Sequence, residues 1–187
     1  MTDQQTLSDA DLVLRSRSGD KRSFDVLIAR YKTTLYQFIR RYVGHSDEAY
    51  DILQETFIAG WLALGRYDPE RSFATWLRSI ALNKCRDHGR RATVRRRIHK
   101  LFTDLTLIVA PETGRIFLEQ DRLQRLDEAI AALPAFYKEP LLLTLVNGLT
   151  QQEAAEQLHT TPKAIEMRIM RARKKLSDAF SDFEGEG

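Results

Sequence analysis

The 187 residues are 43% hydrophobic and 29% charged, which is enough for packed cores and excludes an intrinsically disordered chain. The formal net charge is only +3, but a pI near 9.1 and the clustering of arginine and lysine in two stretches favour a polyanionic partner. The single cysteine, Cys85, excludes an internal disulfide, and the chain lacks a basic-apolar signal segment and the ~20 consecutive apolar residues of a membrane span, so we expect a cytoplasmic protein without membrane contact.

The N-terminal third of the chain predicts three consecutive helices. Ser8 opens a capping box for a short first helix that Gly19 can end. Asp20 caps a long second helix that stops at Gly44, and a third helix begins near Ser46 with acids in its first turn. The apolar stripes at helical spacing are Leu12, Val13 and Leu14, then Phe24, Leu27, Ile28, Tyr31, Leu35, Phe38, Ile39 and Tyr42, then Leu53, Phe57, Trp61 and Leu64.

A loop is predicted before the fourth helix. Pro69 disfavours helical geometry at Asp68 and has no amide donor, so residues 66–71 break the helical pattern. Ser72 then caps a helix that is expected to run to about Arg90. Its buried stripe is Phe73, Trp76, Leu77, Ile80 and Ala81.

A basic segment follows and marks the expected domain boundary. Between Asn83 and Lys100 lie eight arginines or lysines against one acid, Asp87. Pro111 and Gly114 then interrupt any helix that the apolar stretch before them forms. The predicted division is an N-terminal domain over 8–95, a linker over 96–119 and a C-terminal domain over 120–180.

The remaining sequence also has a helical period and no strand pattern. Apolar residues recur from about Leu118 to Leu133, and Pro134 imposes a break before the next helix. No stretch alternates apolar and polar residues. The predicted fold class is therefore all-α, with two small helical domains joined by a linker.

The C-terminal end carries a helix-turn-helix pattern. Thr150 and Glu153 form a capping box for a helix that ends near Leu158. Thr161 then caps a second helix with Pro162 at its first position, and this helix is expected to end at Leu176. Two helices joined by so short a turn are typical of DNA-binding proteins, in which the second helix lies in the major groove.

The second of these helices has one apolar and one basic face. Ile165, Ile169, Ala172 and Leu176 form the inward stripe. The other face suits phosphate contacts and base edges, although a solvated basic surface fits the same pattern. The predicted DNA-binding set is Thr161, Lys163, Glu166, Arg168, Arg171, Arg173 and Lys174.

Three segments carry motifs in a specific order. They are Asp47–Leu64 with Gln-Glu-Thr-Phe inside it, Phe73–Arg91 with Trp-Leu, Ile-Ala, Asn and Asp at spaced positions, and Leu149–Leu176 ending in Arg-Ala-Arg-Lys-Lys-Leu. They resemble the polymerase-binding helix, the minus-ten helix and the minus-thirty-five helix-turn-helix of the extracytoplasmic-function (ECF) group of bacterial RNA polymerase sigma factors. The resemblance covers roughly residues 9–95 and 120–180. It departs at His159, where the group usually has a turn glycine, and at Glu166, where lysine is common.

This resemblance implies an alternative sigma factor that directs RNA polymerase core to specific promoters and initiates transcription. The N-terminal domain would bind polymerase and recognise and melt the minus-ten element, and the C-terminal domain would recognise the minus-thirty-five element. The implied partners are polymerase core, promoter DNA and an anti-sigma factor. The residues implied to face a basic coiled coil of the polymerase are Asp51, Gln54 and Glu55.

The minus-ten element must be opened, which requires a pocket for an extruded base beside a cationic track for the strand. The loop before the fourth helix offers pocket residues, of which Tyr67 is equally compatible with a packing role. The predicted minus-ten set is Tyr67, Asp68, Arg71, Arg78, Asn83, Arg86, Asp87, Arg90 and Arg91.

Other functions account for parts of the same sequence. A helix-turn-helix regulator that does not bind polymerase as a sigma subunit would explain the C-terminal end but not Phe73–Arg91. A nucleic-acid-processing enzyme needs clustered acids or histidines, and an interaction protein does not need two basic stretches. We predict no catalytic group, cofactor or metal site, because Cys85 and His88 alone are too sparse to bind zinc.

Overall fold

A computed structural model describes residues 6–103 and 118–184, and the side chains of residues 6–92 and 124–180. The described residues form α-helices joined by short turns and a 3₁₀ turn, Leu64–Arg66, with no strand among them. The predicted all-α fold class is confirmed. The helices are α1 (Asp9–Arg17), α2 (Lys21–Val43), α3 (Ser46–Ala63), α4 (Phe73–Thr103), α5 (Leu118–Ala132), α6 (Ala135–Leu145), α7 (Gln151–Gln157) and α8 (Pro162–Glu184).

The predicted caps set the ends of the first helices. The Ser8 side chain accepts a hydrogen bond from the backbone N–H of Asp11, and Asp20 accepts one from Arg22 at 3.0 Å. Gly44 ends α2 with a φ of +91°, in the left-handed region that glycine adopts without strain. The largest side chains that α1 to α4 bury fully are Leu12, Val13, Leu27, Phe38, Ile39, Thr56, Phe73 and Leu77.

Helix α4 is longer than the sequence analysis predicted. It was expected to end near Arg90, with a linker from residue 96, but it continues to Thr103. The segment beyond Arg90 holds no proline or glycine, and its arginines and lysines are good helix formers. The first eight residues of the predicted linker, 96–103, are therefore helical. The rest of that linker, apart from the start of α5 at Leu118, lies outside the described residues.

The C-terminal helices also follow their predicted signals. Pro134 precedes α6, and the α6 carbonyl at Pro140 accepts a hydrogen bond from the Thr144 hydroxyl at 2.9 Å. Helix α8 continues to Glu184 instead of ending at Leu176. The buried residues of this part include Ile130, Leu133, Leu141, Leu142, Leu143, Ala154, Ala155, Ile165 and Ala172.

The two halves of the chain lie in direct contact. The C-terminal part of α2 packs on α5 and α6, and a Cβ at Gly44 would lie 2.9 Å from the Cβ of Ala131. The Asp127 carboxylate forms ion pairs with Arg40 and Arg41, at nitrogen–oxygen distances of 3.8 and 3.5 Å. The buried residues of both halves form one continuous cluster in this structure.

Candidate nucleic-acid and polymerase interfaces

The helix-turn-helix forms as its caps predict. Glu153 accepts a hydrogen bond from the backbone N–H of Thr150 at 2.8 Å, and the Thr150 hydroxyl accepts one from the Glu153 N–H at 3.2 Å. The bond from the Thr150 backbone lowers the pKa of the Glu153 carboxyl, so this reciprocal cap holds its charged form. Thr161 accepts from the N–H of Ala164 at 3.2 Å and starts α8.

His159 closes the turn between these two helices in an unusual conformation. Its φ is +52°, and it is the only non-glycine with a positive φ among the described residues. An L side chain there is strained, whereas glycine is not. The departure at His159 therefore falls on a position where the turn geometry itself favours glycine.

Helix α8 presents most of its predicted DNA-binding side chains to solvent. Ile165, Ile169 and Ala172 are buried against α6 and α7. The Lys163 ammonium pairs with Glu166 at 2.7 Å on the exposed side. The exposed members of the predicted set are Thr161, Lys163, Glu166, Arg171, Arg173 and Lys174.

Arg168 stands apart from this exposed set. Its guanidinium carbon lies 4.0 Å from the ring centroid of Phe136 in α6, and its Nη2 donates to the Thr160 hydroxyl at 3.4 Å. Arg168 is half-buried, and its buried Nε has no hydrogen-bond partner. These contacts hold Arg168 on the flank of α8 next to α6.

Sequence reasoning missed two exposed methionines on α8. Met167 and Met170 are 36% and 55% exposed. Because successive residues of an α-helix are rotated by 100°, both methionines lie on the side opposite the buried stripe. Along the helix they lie between Lys163 and Lys174. The signal was present as apolar residues out of phase with the inward stripe.

The face of α4 that carries the minus-ten candidates is partly covered by the C-terminal half. Arg86 donates from Nε and Nη2 to the two carboxylate oxygens of Glu139 in α6, at 2.8 and 2.6 Å. The hydroxyl of Tyr42 donates to the same carboxylate at 3.1 Å. Asn83 is exposed and accepts a long contact from Arg86 at 3.5 Å.

A buried lysine lies beside this cluster. The Lys138 ammonium donates to the backbone carbonyls of Tyr42 and Ala131, at 2.9 and 2.6 Å. Burial lowers the pKa of Lys138 to about 8, although the charges of Cys85 and Glu139 oppose the shift. Burial also raises the pKa of the Cys85 thiol, which therefore stays neutral and packs in the core.

The other minus-ten candidates differ in how far they reach solvent. Burial lowers the pKa of the half-buried Arg78. The charges of Tyr31 and of Glu153 in α7 act against this shift. Asp87 pairs with Arg90; the Arg90 side chain is 76% exposed and that of Asp87 is 45% exposed, and Arg91 is also exposed. Asn83, Arg90 and Arg91 are thus the most accessible candidates on α4.

Tyr67 is a core residue in this structure, which agrees with the packing role that the sequence left open beside the pocket role. It is 4% exposed, and its ring contacts those of Phe73 and Trp76 at centroid distances of 5.4 and 5.2 Å. Its hydroxyl donates to the carbonyl of Arg71. Asp68 and Arg71 remain exposed, and the Arg71 Nε lies 3.7 Å from the Asp68 Oδ2. Tyr67 therefore fixes the loop that displays them.

The exposed side of α3 carries the three predicted polymerase contacts. Asp51, Gln54 and Glu55 are all exposed, and Glu55 pairs with Lys84 of α4 at 3.1 Å. Sequence reasoning missed that Tyr50, Ile58 and Leu62 share this side, with 48%, 60% and 78% exposure. Their spacing of eight and four residues, out of phase with the buried Leu53 and Phe57, was the available signal. The surface is thus both acidic and apolar.

Comparison with known proteins places these surfaces in one family. Residues 27–95 match Sigma-70 region 2, and residues 123–176 match Sigma-70 region 4. The RNA polymerase sigma factor CnrH of Cupriavidus metallidurans is 37% identical over 187 aligned residues, covering 95% of this chain and 97% of its own. The ECF RNA polymerase sigma-E factor of Haemophilus influenzae is 28% identical, covering 93% and 96%. The chain belongs to the ECF sigma factors.

The fold of this sigma factor agrees with a solved relative. The structure of CnrH in complex with the cytosolic domain of CnrY superposes with a TM-score of 0.70 at 33% identity, covering 93% of this chain and 97% of that one. An ECF sigma factor brings RNA polymerase to promoters, so the function predicted from the sequence is confirmed. The alternative of a regulator that does not act as a sigma subunit is not supported.

Two further observations concern the described part of this sigma factor. None of its described helices combines the length and hydropathy needed to cross a membrane. Within residues 6–103 and 118–184, no group of three or more histidine, cysteine, aspartate or glutamate side chains is placed to hold a metal ion.

Proposed function

We propose that this sigma factor uses three surfaces: α3 for polymerase core, α4 with its preceding loop for the minus-ten element, and α8 for the minus-thirty-five element. The observation that carries the proposal is the helix-turn-helix, whose second helix exposes a cationic side while its apolar stripe is buried. The corresponding domains are 8–95 and 120–180, with 96–119 between them. The helical continuation of α4 to Thr103 supports a stiff start to that connection.

On α3, acidic and apolar side chains together suit a basic coiled coil on the polymerase. Asp51, Gln54 and Glu55 supply charge and hydrogen-bond acceptors that steer the encounter. Ile58 and Leu62 supply apolar surface that would be buried, and so removed from water, when the polymerase binds. An exposed apolar stripe of this kind marks an interaction site more often than a solvated surface.

On α4, the loop and the helix end provide the single-strand contacts. Asp68 and Arg71 are exposed in a loop held by Tyr67, which suits a base-capturing edge. Asn83, Arg86, Asp87, Arg90 and Arg91 continue the track along the helix. Arg78 is half-buried, so it is less accessible to the strand than the exposed Arg90 and Arg91.

On α8, phosphate and base contacts divide between the exposed residues. Arg173 and Lys174 extend towards the outer part of the helix and suit phosphates. Arg171 is placed to read a base edge, and Glu166 can accept from a cytosine amino group. Thr161 caps α8 and suits a phosphate at the helix N-terminus.

The partners are polymerase core, promoter DNA and an anti-sigma factor that masks the polymerase surfaces. Support for a proteinaceous inhibitor comes from the family resemblance and from CnrH, which is solved in complex with the cytosolic domain of CnrY. The chain works by binding and strand capture in the cytoplasm, and the proposal assigns no catalytic group or cofactor.

Reconstitution with sigma-free polymerase core tests this function. The protein should bind core and give transcripts with defined 5′ ends on genomic promoter fragments, whereas core alone should not. Arg171→Ala should weaken protection of the upstream element, and the matched surface change Arg22→Ala should not. Binding of the protein to DNA without core, and no initiation with it, would instead support the regulator.

A further inference from the structure

Two apolar side chains occupy the centre of the DNA-facing side of α8. Met167 and Met170 lie opposite Ile165, Ile169 and Ala172, so they point away from the protein core. Covering them would add to a binding free energy, because burying a methionine side chain contributes about 1.5–3 kcal/mol relative to leaving it exposed. The position of the pair on the DNA-facing side makes DNA the candidate occupant.

The charges around the methionines indicate what that occupant is. Lys163, Arg171 and Lys174 are exposed beside the pair, where Glu166, which pairs with Lys163 at 2.7 Å, is the acid. A cationic rim around an apolar centre complements a DNA groove, where phosphates flank the base edges. In the major groove, the apolar group on a base edge is the C5-methyl of thymine.

We infer that Met167 and Met170 read thymine methyl groups in the minus-thirty-five element. This inference rests on the proposed function of α8 and adds the base that this surface selects. Methionine suits the task because its flexible, polarizable thioether adapts to a methyl group at more than one distance. Arg168 contacts Phe136 and does not occupy this central position, which the two methionines fill.

Uracil substitution tests the inference with single-methyl resolution. The holoenzyme first selects binding sites from promoters with a randomised upstream element, and each thymine of the selected element is then replaced by uracil. For the wild-type holoenzyme, at least one replacement should weaken promoter binding roughly fourfold, which is the loss expected for one buried methyl. For a Met167→Ala, Met170→Ala double variant, the same replacement should have no effect. The control variant Leu145→Ala, at an exposed leucine of α6, should keep the fourfold loss.

Three outcomes overturn the methionine inference alone: a selected element without thymine, a wild-type holoenzyme indifferent to every uracil, or a double variant that keeps the full uracil penalty. A holoenzyme that binds no promoter overturns the proposed function as well. Circular dichroism of the double variant should match the wild type, since both methionines are exposed.

Discussion

The guanidinium of Arg168 lies 4.0 Å from the ring centroid of Phe136, so an arginine of the recognition helix is used to fix that helix to α6. A cation over an aromatic face contributes roughly 0.5–2 kcal/mol, depending on its burial. We predict that Arg168→Ala lowers the free energy of unfolding by about 1 kcal/mol. The measurement is urea denaturation followed by circular dichroism.

Arg171→Ala is the control for this change, because Arg171 is exposed three residues further along α8. Its stability should stay within about 0.5 kcal/mol of the wild type, while its promoter binding falls. The opposite pattern, in which Arg171→Ala destabilises and Arg168→Ala does not, would contradict the assignment of Arg168 to the flank.

His159, the turn residue with a left-handed backbone conformation, predicts a substitution that stabilises the protein. Replacing it with glycine removes the clash of an L side chain at φ +52° and should raise the free energy of unfolding by about 0.5–1 kcal/mol. Gly148 has φ +65° with open space around it, so Gly148→Ala should lower stability by about 1 kcal/mol. Thermal unfolding of the two variants measures both; a His159→Gly variant less stable than the wild type would show that the imidazole makes a stabilising contact.

The apolar stripe on α3 predicts a loss of polymerase affinity without a loss of stability. Ile58→Ser with Leu62→Ser should weaken core binding by about tenfold or more, because two exposed side chains lose their burial against the partner. Competition for core against a labelled sigma factor measures this. Leu14→Ser, at a 67% exposed leucine of α1, should bind core normally. Equal losses in both variants would mean that general surface hydrophobicity, and not this stripe, sets affinity.

Lys138 predicts a pH dependence of stability. Its pKa in the folded chain is about 8, below the ordinary 10.5, so between these values the unfolded chain binds more protons. The free energy of unfolding should therefore rise as the pH increases from about 8 to 9, and the contribution of Lys138 should level off below pH 7, where the folded and unfolded chains both carry the charged lysine. The neighbouring Cys85 thiol has a raised pKa and opposes this trend above its ordinary value of 9, which sets the upper limit.

Lys138→Met should flatten that rise, and Lys32→Met, at an exposed lysine, should keep it. Urea denaturation at pH 7, 8 and 9 compares the three proteins. A slope that is unchanged in Lys138→Met would assign the pH dependence to another group.

Local chemistry made much of this fold predictable. Ser8, Asp20, Thr150 and Thr161 were identified as caps because a side-chain oxygen beside orphan N–H groups acts within one turn of helix. The apolar stripes predicted the buried faces for the same reason. The family motifs then predicted which surfaces meet polymerase and DNA.

Long-range contacts were not predictable from the same signals. The sequence left Tyr67 open between a pocket role and a packing role, because its burial depends on Phe73 and Trp76, which only the folded loop brings to it. Arg86 and Glu139 are separated by 53 residues, and no periodicity links them. The extension of α4 to Thr103 was ambiguous in the sequence, because this segment lacks helix-breaking residues but carries a run of like charges.

Crosslinking within one initiation complex tests most directly whether this single chain holds both promoter elements. A photoreactive amino acid is placed at Asn83 in one holoenzyme and at Met170 in another, and the crosslinked bases are mapped on the same promoter. The account predicts crosslinks about 25 base pairs apart, on the minus-ten and minus-thirty-five elements respectively. Crosslinks from both positions within one short segment, or from only one of them, would contradict it.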